Sequence, residues 1–592
     1  MNLGSQLAQL ETAQLVRTAV NEPDEFLFKH ALTQDAAYQS LLQKQRREVH
    51  RQVARAYEAL YGDRCLDDYA AILAQHYTQA GDELKAFDYA ARAGETAARM
   101  YANSEAVEYY TQAIQIARRL ATAPTMHPSL RELYLKLGRV NELSDRYDVA
   151  LAIYDEMGSV ARTRHDRSME LAALIARATI YAIPSRFFDI ERAKAMSVRA
   201  LELAREIGDK PAEAKALWNM ILFNSRLDTS YRQALAYGEQ AIAIAREYNL
   251  REQLAYLLND VSTLYVWLGD PERGAATNLE AREMFRAMNN LPMLTDNFGY
   301  AIMAHIALGE YSQATEVSRE SLEISRRIGN EWGETFIQSW VGAAYRELGE
   351  IDQAILAMEN SIRLAEHSFQ APLSFTRSDV GALYGDLGQV EQGLKLAQLA
   401  SEAGERIAPV MHIYCAGQLA HLQILSGDLA SAEATVDEAL DRTKRDDDHS
   451  MFGRTIHAAN AELRLAQGDS AQAIQASERL INLLRSYRLR QFLANALWIK
   501  GLALTRQAKF DEAFVVLQQA RKEAEETKAR WVLWRILAAL AEVEQAQGKI
   551  DQAQELRTQA RANLDFIRAH TPQAFRQTFE KLPHVRAVME AQ

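Results

Sequence analysis

Apolar residues return every three or four positions along most of this chain, in stretches that each cover several helical turns. In one stretch Phe336, Trp340, Val341, Ala344, Tyr345 and Leu348 fall on one face. A second stretch places Ile351, Ala354, Ile355, Met358, Ile362 and Ala365 on another. Each pattern predicts an amphipathic helix with one face buried. Between them runs Leu348-Gly349-Glu350-Ile351-Asp352-Gln353-Ala354. Gly349 suits the left-handed conformation that ends the first helix. Asp352 sets a carboxylate in the first turn of the second, where the helix dipole favours it. Ala354 is small, as a close crossing of the two helices requires.

The same phrase recurs along the chain. Its small closing residue falls at Ala234, Gly274, Ala314, Ala354, Gly393, Ala432, Ala473, Ala513 and Ala553, a step of about 40 residues. A helical hairpin cannot bury its apolar face alone, so a fixed period predicts a stack of hairpins in which each repeat touches only its neighbours. We expect about ten to thirteen hairpins. The first hairpins occupy residues 66–122 and the regular array residues 123–570. Residues 571–592 form one capping helix, amphipathic through Phe575, Phe579, Leu582, Val585 and Val588. Ala121–Pro128 and Lys444–His449 read as breaks between helices.

Residues 1–65 do not follow the repeat. Leu3–Leu10 reads as a short helix, and Leu15–Val20 and Glu25–Lys29 alternate like the strands of a hairpin. Two further helices follow, from His30 and from Arg46. Helix, hairpin, helix, helix is the outline of a winged-helix remnant.

The repeated phrase resembles the tetratricopeptide repeat. Trp218, Val341-Gly342 with Tyr345, and Val380-Gly381 with Tyr384 sit in the slots of that family's first helix. Ala106, Tyr110 and Ala113, and Ala150, Tyr154 and Met157, sit in those of its second. The resemblance implies an all-α, right-handed superhelix. The step of about 40 residues in place of the family's 34 implies lengthened hairpins, as in the arrays of large bacterial signalling ATPases and maltose-regulator-type activators. Phe28-Lys29-His30-Ala31-Leu32-Thr33-Gln34, Ala74-Gln75-His76-Tyr77 and Ala93-Gly94 resemble the junction between such an ATPase and its repeats, in a family where some members also carry a nucleotide cyclase. The sequence contains no Gly-x-x-x-x-Gly-Lys-Ser/Thr phosphate loop, so it is expected to be the regulatory half of such a protein without its catalytic front. By the same resemblance His30 matches a residue that looks toward nucleotide phosphates. The alternative is that it merely caps a helix or bonds inside the small domain.

Composition narrows the function classes. The formal net charge of −12 disfavours direct nucleic-acid binding, which requires neutralising phosphates. Two cysteines, Cys65 and Cys415, make neither a disulfide framework nor a metal cluster. The first residues lack a signal peptide's pattern, and no apolar run is long enough to span a bilayer. Trp531–Val543 comes nearest and is interrupted by Arg535. A cytoplasmic protein without membrane contact is predicted.

No arrangement of nucleophile and base or of metal-ligand spacing emerges, so no catalytic residue, metal or cofactor is predicted. His305, His421 and His457 fall on first helices of different repeats, too dispersed for ligation. The basic run Lys44, Arg46, Arg47, His50, Arg51 and Arg55 reads as a solvated face. Aligning the repeats puts Tyr256, Phe336, Phe375 and Tyr414 at one inward position and Asn219, Asn259 and Ser339 at the next, with Phe223 and Met303 nearby. Aromatic rings beside small polar groups make a candidate groove for a protein, a peptide or a small effector. The alternative is that they are core between neighbouring hairpins. The expected function is a non-catalytic interaction or effector-sensing scaffold. The alternative is a sensor subunit that controls a separate ATPase, cyclase or transcription regulator.

Overall fold

The computed structural model describes residues 3–19, 22–100, 102–120, 129–144, 146–183, 187–224, 231–366, 370–407, 409–443 and 450–590. The expected breaks at 121–128 and 444–449 lie outside the described residues. The chain divides into two compact units, Met1–Ala176 and Arg177–Gln592.

The first unit opens with α1 (Leu3–Thr12) and an antiparallel pair, β1 (Val16–Ala19) and β2 (Glu22–Phe28), in which Val16 faces Phe28. Then come α2 (Ala31–Ser40), α3 (Gln43–Cys65), α4 (Ala70–Ala80), α5 (Glu83–Arg99), α6 (Asn103–Arg119), α7 (Leu130–Leu143) and α8 (Tyr147–Arg164). Two of these hairpins, α5 with α6 and α7 with α8, lock by one device. A glycine inside the first helix receives the large side chain sixteen positions later, on the second. A Cβ on Gly94 or Gly138 would lie closer than 3.0 Å to the ring of Tyr110 or Tyr154. Helix α9 (Arg167–Ala182) crosses the division between the units.

The second unit continues with α10 (Ile190–Ile207) and then regular pairs: α11 (Lys210–Asn224) with α12 (Tyr231–Glu247), α13 (Arg251–Trp267) with α14 (Pro271–Ala287), and α15 (Leu291–Ala307) with α16 (Tyr311–Ile328). Next are α17 (Glu331–Leu348) with α18 (Ile351–Ala365), α19 (Gln370–Asp386) with α20 (Val390–Ile407), and α21 (Pro409–Ser426) with α22 (Leu429–Thr443). The last are α23 (Ser450–Ala466) with α24 (Ser470–Ser486), α25 (Leu493–Arg506) with α26 (Phe510–Glu526), and α27 (Arg530–Ala546) with α28 (Ile550–Ala569). The chain is an all-α solenoid of tetratricopeptide-like repeats. The glycine lock recurs here as Gly342 with Met358 and Gly501 with Leu517.

The expectation that each repeat touches only its neighbours is corrected by a seam between distant repeats. The turn at Gly269 lies on Tyr487, the turn at Gly309 on Thr527, and the turn at Gly349 on Ile567. Both sides advance by one repeat at each step. Backbone groups cross the seam as well: Arg490 N–H donates to the Ala307 carbonyl at 2.8 Å, and Asp352 N–H to the His570 carbonyl at 2.7 Å. The array coils far enough to rest on itself. The turn glycines make this possible, being left-handed and without a side chain where another backbone approaches.

The expected single capping helix is two, α29 (Gln573–Lys581) and α30 (Pro583–Glu590). Pro583 forces Leu582 into the extended region, at φ −61° and ψ 131°, and the helix breaks there.

Candidate functional site

The first helices of the later repeats surround a chamber of about 510 Å³, within the range of small-ligand sites. Helices α17, α19, α21, α23, α25 and α27 supply its walls, and His584, Ala587 and Val588 of α30 complete one side. Ile424, Leu465, Leu502, Trp498, Trp531 and Trp534 give it apolar surface. Charged residues from three adjacent repeats meet at its edge. His421 Nδ1 is 2.6 Å from Glu462 and Nε2 is 3.2 Å from Asp386. Burial pulls this imidazole's pKa down, but Glu462 and Asp386 outweigh it and hold the ring up to about 10. Burial likewise pushes Asp386 up, and His421 overcomes it, leaving the carboxyl at about 2. His421 is therefore an imidazolium donating from both nitrogens at neutral pH.

A second buried network lies beside it. Arg346 pairs with Glu347 at 2.7 Å, and Asp379 accepts from Tyr414 Oη at 2.8 Å and from Gln418 Nε2 at 2.8 Å. Ion pairs this far from water owe their persistence to mutual satisfaction rather than to net gain. The far wall is different. The Arg535 guanidinium lies 5.2 Å from the Trp531 ring centre and 5.0 Å from that of Trp534, a cation held between aromatic faces. The indole N–H groups of Trp534, which is 1% exposed, and of Trp498 have no acceptor. A buried donor without a partner costs free energy comparable to a lost hydrogen bond.

None of the nine residues of the expected groove lines this chamber. Asn219, Asn259 and Ser339 are buried and form polar rungs between neighbouring first helices. Thr179 donates to Asn219 at 2.9 Å, Asn297 to Asn259 at 3.0 Å, and Thr376 to Ser339 at 2.7 Å. Phe223, Met303 and Tyr414 are buried. Tyr256, Phe336 and Phe375 are half-buried. Tyr256 meets Phe285 edge-on at 5.6 Å, Phe336 stacks on Trp332 at 5.7 Å, and Phe375 stacks on Phe452 at 5.7 Å. His30 stands exposed at the start of α2, and its side chain makes no cap hydrogen bond. The basic run is tied locally: Arg46 donates to the carbonyls of Leu41 and Gln39, and Arg51 pairs with Glu48. Among the described residues no cluster of three or more His, Cys, Asp or Glu could hold a metal, and no helix is long and apolar enough to cross a membrane.

That His421, Trp531, Arg535 and Val588 meet at one chamber is not legible in the sequence, because charges on different repeats look unrelated until the repeats stack. The usable signal was a charged residue inside the most apolar part of a first helix. Arg535 within Trp531–Val543 is one case, and His421 within α21 is another.

No described protein family matches the chain. The regulatory protein AfsR of Streptomyces griseus is 25% identical over 266 residues, which is 45% of this chain and 25% of that protein. The chain thus spans about a quarter of the length of that curated relative. Among solved structures, a Rap protein complexed with competence and sporulation factor aligns with a TM-score of 0.45 at 11% identity. The alignment covers 68% of this chain and 99% of that one. The APC/C hetero-tetramer Cut9–Hcn1 aligns at 0.38 and 12%, covering 84% of this chain and 96% of the other.

Proposed function

We propose that this chain is a non-catalytic regulatory module that takes a peptide segment of a protein partner, or a small amphipathic effector, in the chamber lined by α17 to α27. The observation that carries this reading is a chamber of about 510 Å³ whose apolar walls, among them Trp498, Trp531, Leu465 and Leu502, meet a charged edge at His421 and Glu462. A peptide would set an apolar side chain against the tryptophans of the wall. Glu462 and Asp386 raise the pKa of His421, which disfavours this imidazole as a general base. Similarity to a regulatory protein supports the regulatory half of the reading.

Selection of displayed random peptides on the wild type, with counter-selection on Trp498→Phe/Trp534→Phe, tests it. The reading expects peptides that bind the wild type and lose binding on the double variant. Peptides that bind both proteins equally would overturn it.

A second reading concerns residues 1–65, as the part that docks on a signalling ATPase, in the same longer protein or in a separate subunit. The exposed His30 side chain, which its own helix does not use, favours it. Phosphate-group sensing through His30 would then require that ATPase to be present.

A further inference from the structure

The segment after the last hairpin is built like a ligand for the surface it covers. Helices α29 and α30 have nine and eight residues, too short to persist in water without docking. Their anchors are spaced as on one face of a helix. Phe575 meets Tyr384 at 4.9 Å, and the fully buried Phe579 stacks on Trp531 at 6.3 Å. His584 lies parallel to Trp534 at 5.8 Å, and Val585 and Val588 are buried beyond it. A cap for the final hairpin would cover α27 and α28. This segment also reaches Tyr384 on α19 and the turn at Gly388, where the Thr578 carbonyl closely approaches the glycine. Its last turns form one wall of the chamber.

We propose that α29–α30 is an internal occupant of the inner face, and that the partner is an amphipathic helix of the same pattern, with two aromatic residues four positions apart followed by a small apolar pair three positions apart. The proposal rests on the chamber being the binding site. Docking of the partner helix exchanges it for the chain's own, in the manner of an apolar helix face laid into a groove. While the internal helix is docked, the apparent affinity for any competitor falls in proportion to the open fraction.

The test uses a fluorescently labelled synthetic peptide of residues 571–590 and the full chain, as wild type and as Val585→Asp/Val588→Asp. The peptide should bind the variant at least ~10-fold more tightly than the wild type, with helical circular dichroism from the repeats retained. Adding Trp534→Ala to the variant should remove that binding. Phe575→Ser, which weakens the contact with Tyr384 at the far end of the segment, should give the same direction of change. Equal binding by wild type and variant would overturn the proposal. So would loss of the repeats' helical signal in both variants, because the segment would then be an integral part of the array. Peptides selected for dependence on Trp498 and Trp534 would survive either result, which separates failure of this proposal from failure of the binding reading.

Discussion

The Nδ1 atom of His421 lies 2.6 Å from a carboxylate oxygen of Glu462, which joins two adjacent repeats through a charged hydrogen bond beside the chamber. Asp386, from the repeat on the other side, takes the second nitrogen. Because the folded-state pKa of His421 is raised to about 10, its contribution to stability is fully present below pH ~6.5 and is lost as pH rises toward 10. Asp386 is depressed to about 2, so its share persists above pH ~4 and is lost only in strong acid. The wild-type melting temperature should therefore decline from pH ~6.5 to ~10, and His421→Gln should melt lower with a flatter profile over that window. Identical slopes for the two proteins would remove the bridge from the account.

The first unit carries the opposite dependence. His50 Nδ1 and His76 Nδ1 are 2.8 Å apart, and Tyr38 Oη is 3.0 Å from His50 Nε2. Burial lowers the pKa of both rings, and His50 lowers His76 further. Their folded-state preference is for the neutral form, so the stability they contribute is present above pH ~6.5 and is lost as pH falls. Hydrogen exchange in residues 31–80 should quicken between pH 7.5 and 5.5, after correction for the intrinsic rate. His76→Gln should blunt that change.

At Ala508 a repeat lacks its turn glycine. Ala508 holds φ +58° where Gly349, Gly468 and Gly548 hold +82°, +81° and +77°. A left-handed alanine costs ~1–2 kcal/mol, partly offset in the glycine variant by added unfolded-state entropy. Ala508→Gly should stabilise the array by about 1 kcal/mol in denaturant titration. An unchanged midpoint would show that the position bears no strain.

The repeat itself was legible in the sequence, because the turn glycine and the small closing residue answer to local geometry and recur in nearly all copies, Ala508 being an exception at the turn. The two-helix ending was also legible in Leu582-Pro583, since the residue before a proline is driven out of the helical region. The seam was not legible. Nothing at Gly309 distinguishes a glycine needed only for its φ from one pressed against Thr527, some two hundred residues away. The chamber was illegible for a related reason: its donors and acceptors come from six first helices, and their meeting depends on how tightly the array coils. Of the inward aromatic alignment, Tyr414 is buried while Tyr256, Phe336 and Phe375 are half-buried beside neighbouring rings.

The seam makes a prediction of its own. A Cβ at Gly309 would meet Thr527 Cγ2 at 2.6 Å while φ is +73°. Gly309→Val should cost about 2–4 kcal/mol from overpacking and the left-handed backbone together. Hydrogen exchange should rise both near 300–315 and near 520–530. Loosening confined to the first region would mean that the two layers do not bear on one another.

The most direct measurement is calorimetric titration with 1-anilinonaphthalene-8-sulfonate, whose flat apolar rings match the chamber's tryptophan and aliphatic walls. The account predicts one saturable site per chain. Trp498→Phe and Trp534→Phe each remove ring area from the wall, so each should weaken binding by about 1 kcal/mol, roughly five-fold. Binding that is unsaturable, or that both variants leave intact, would contradict the claim that this chamber is a ligand site.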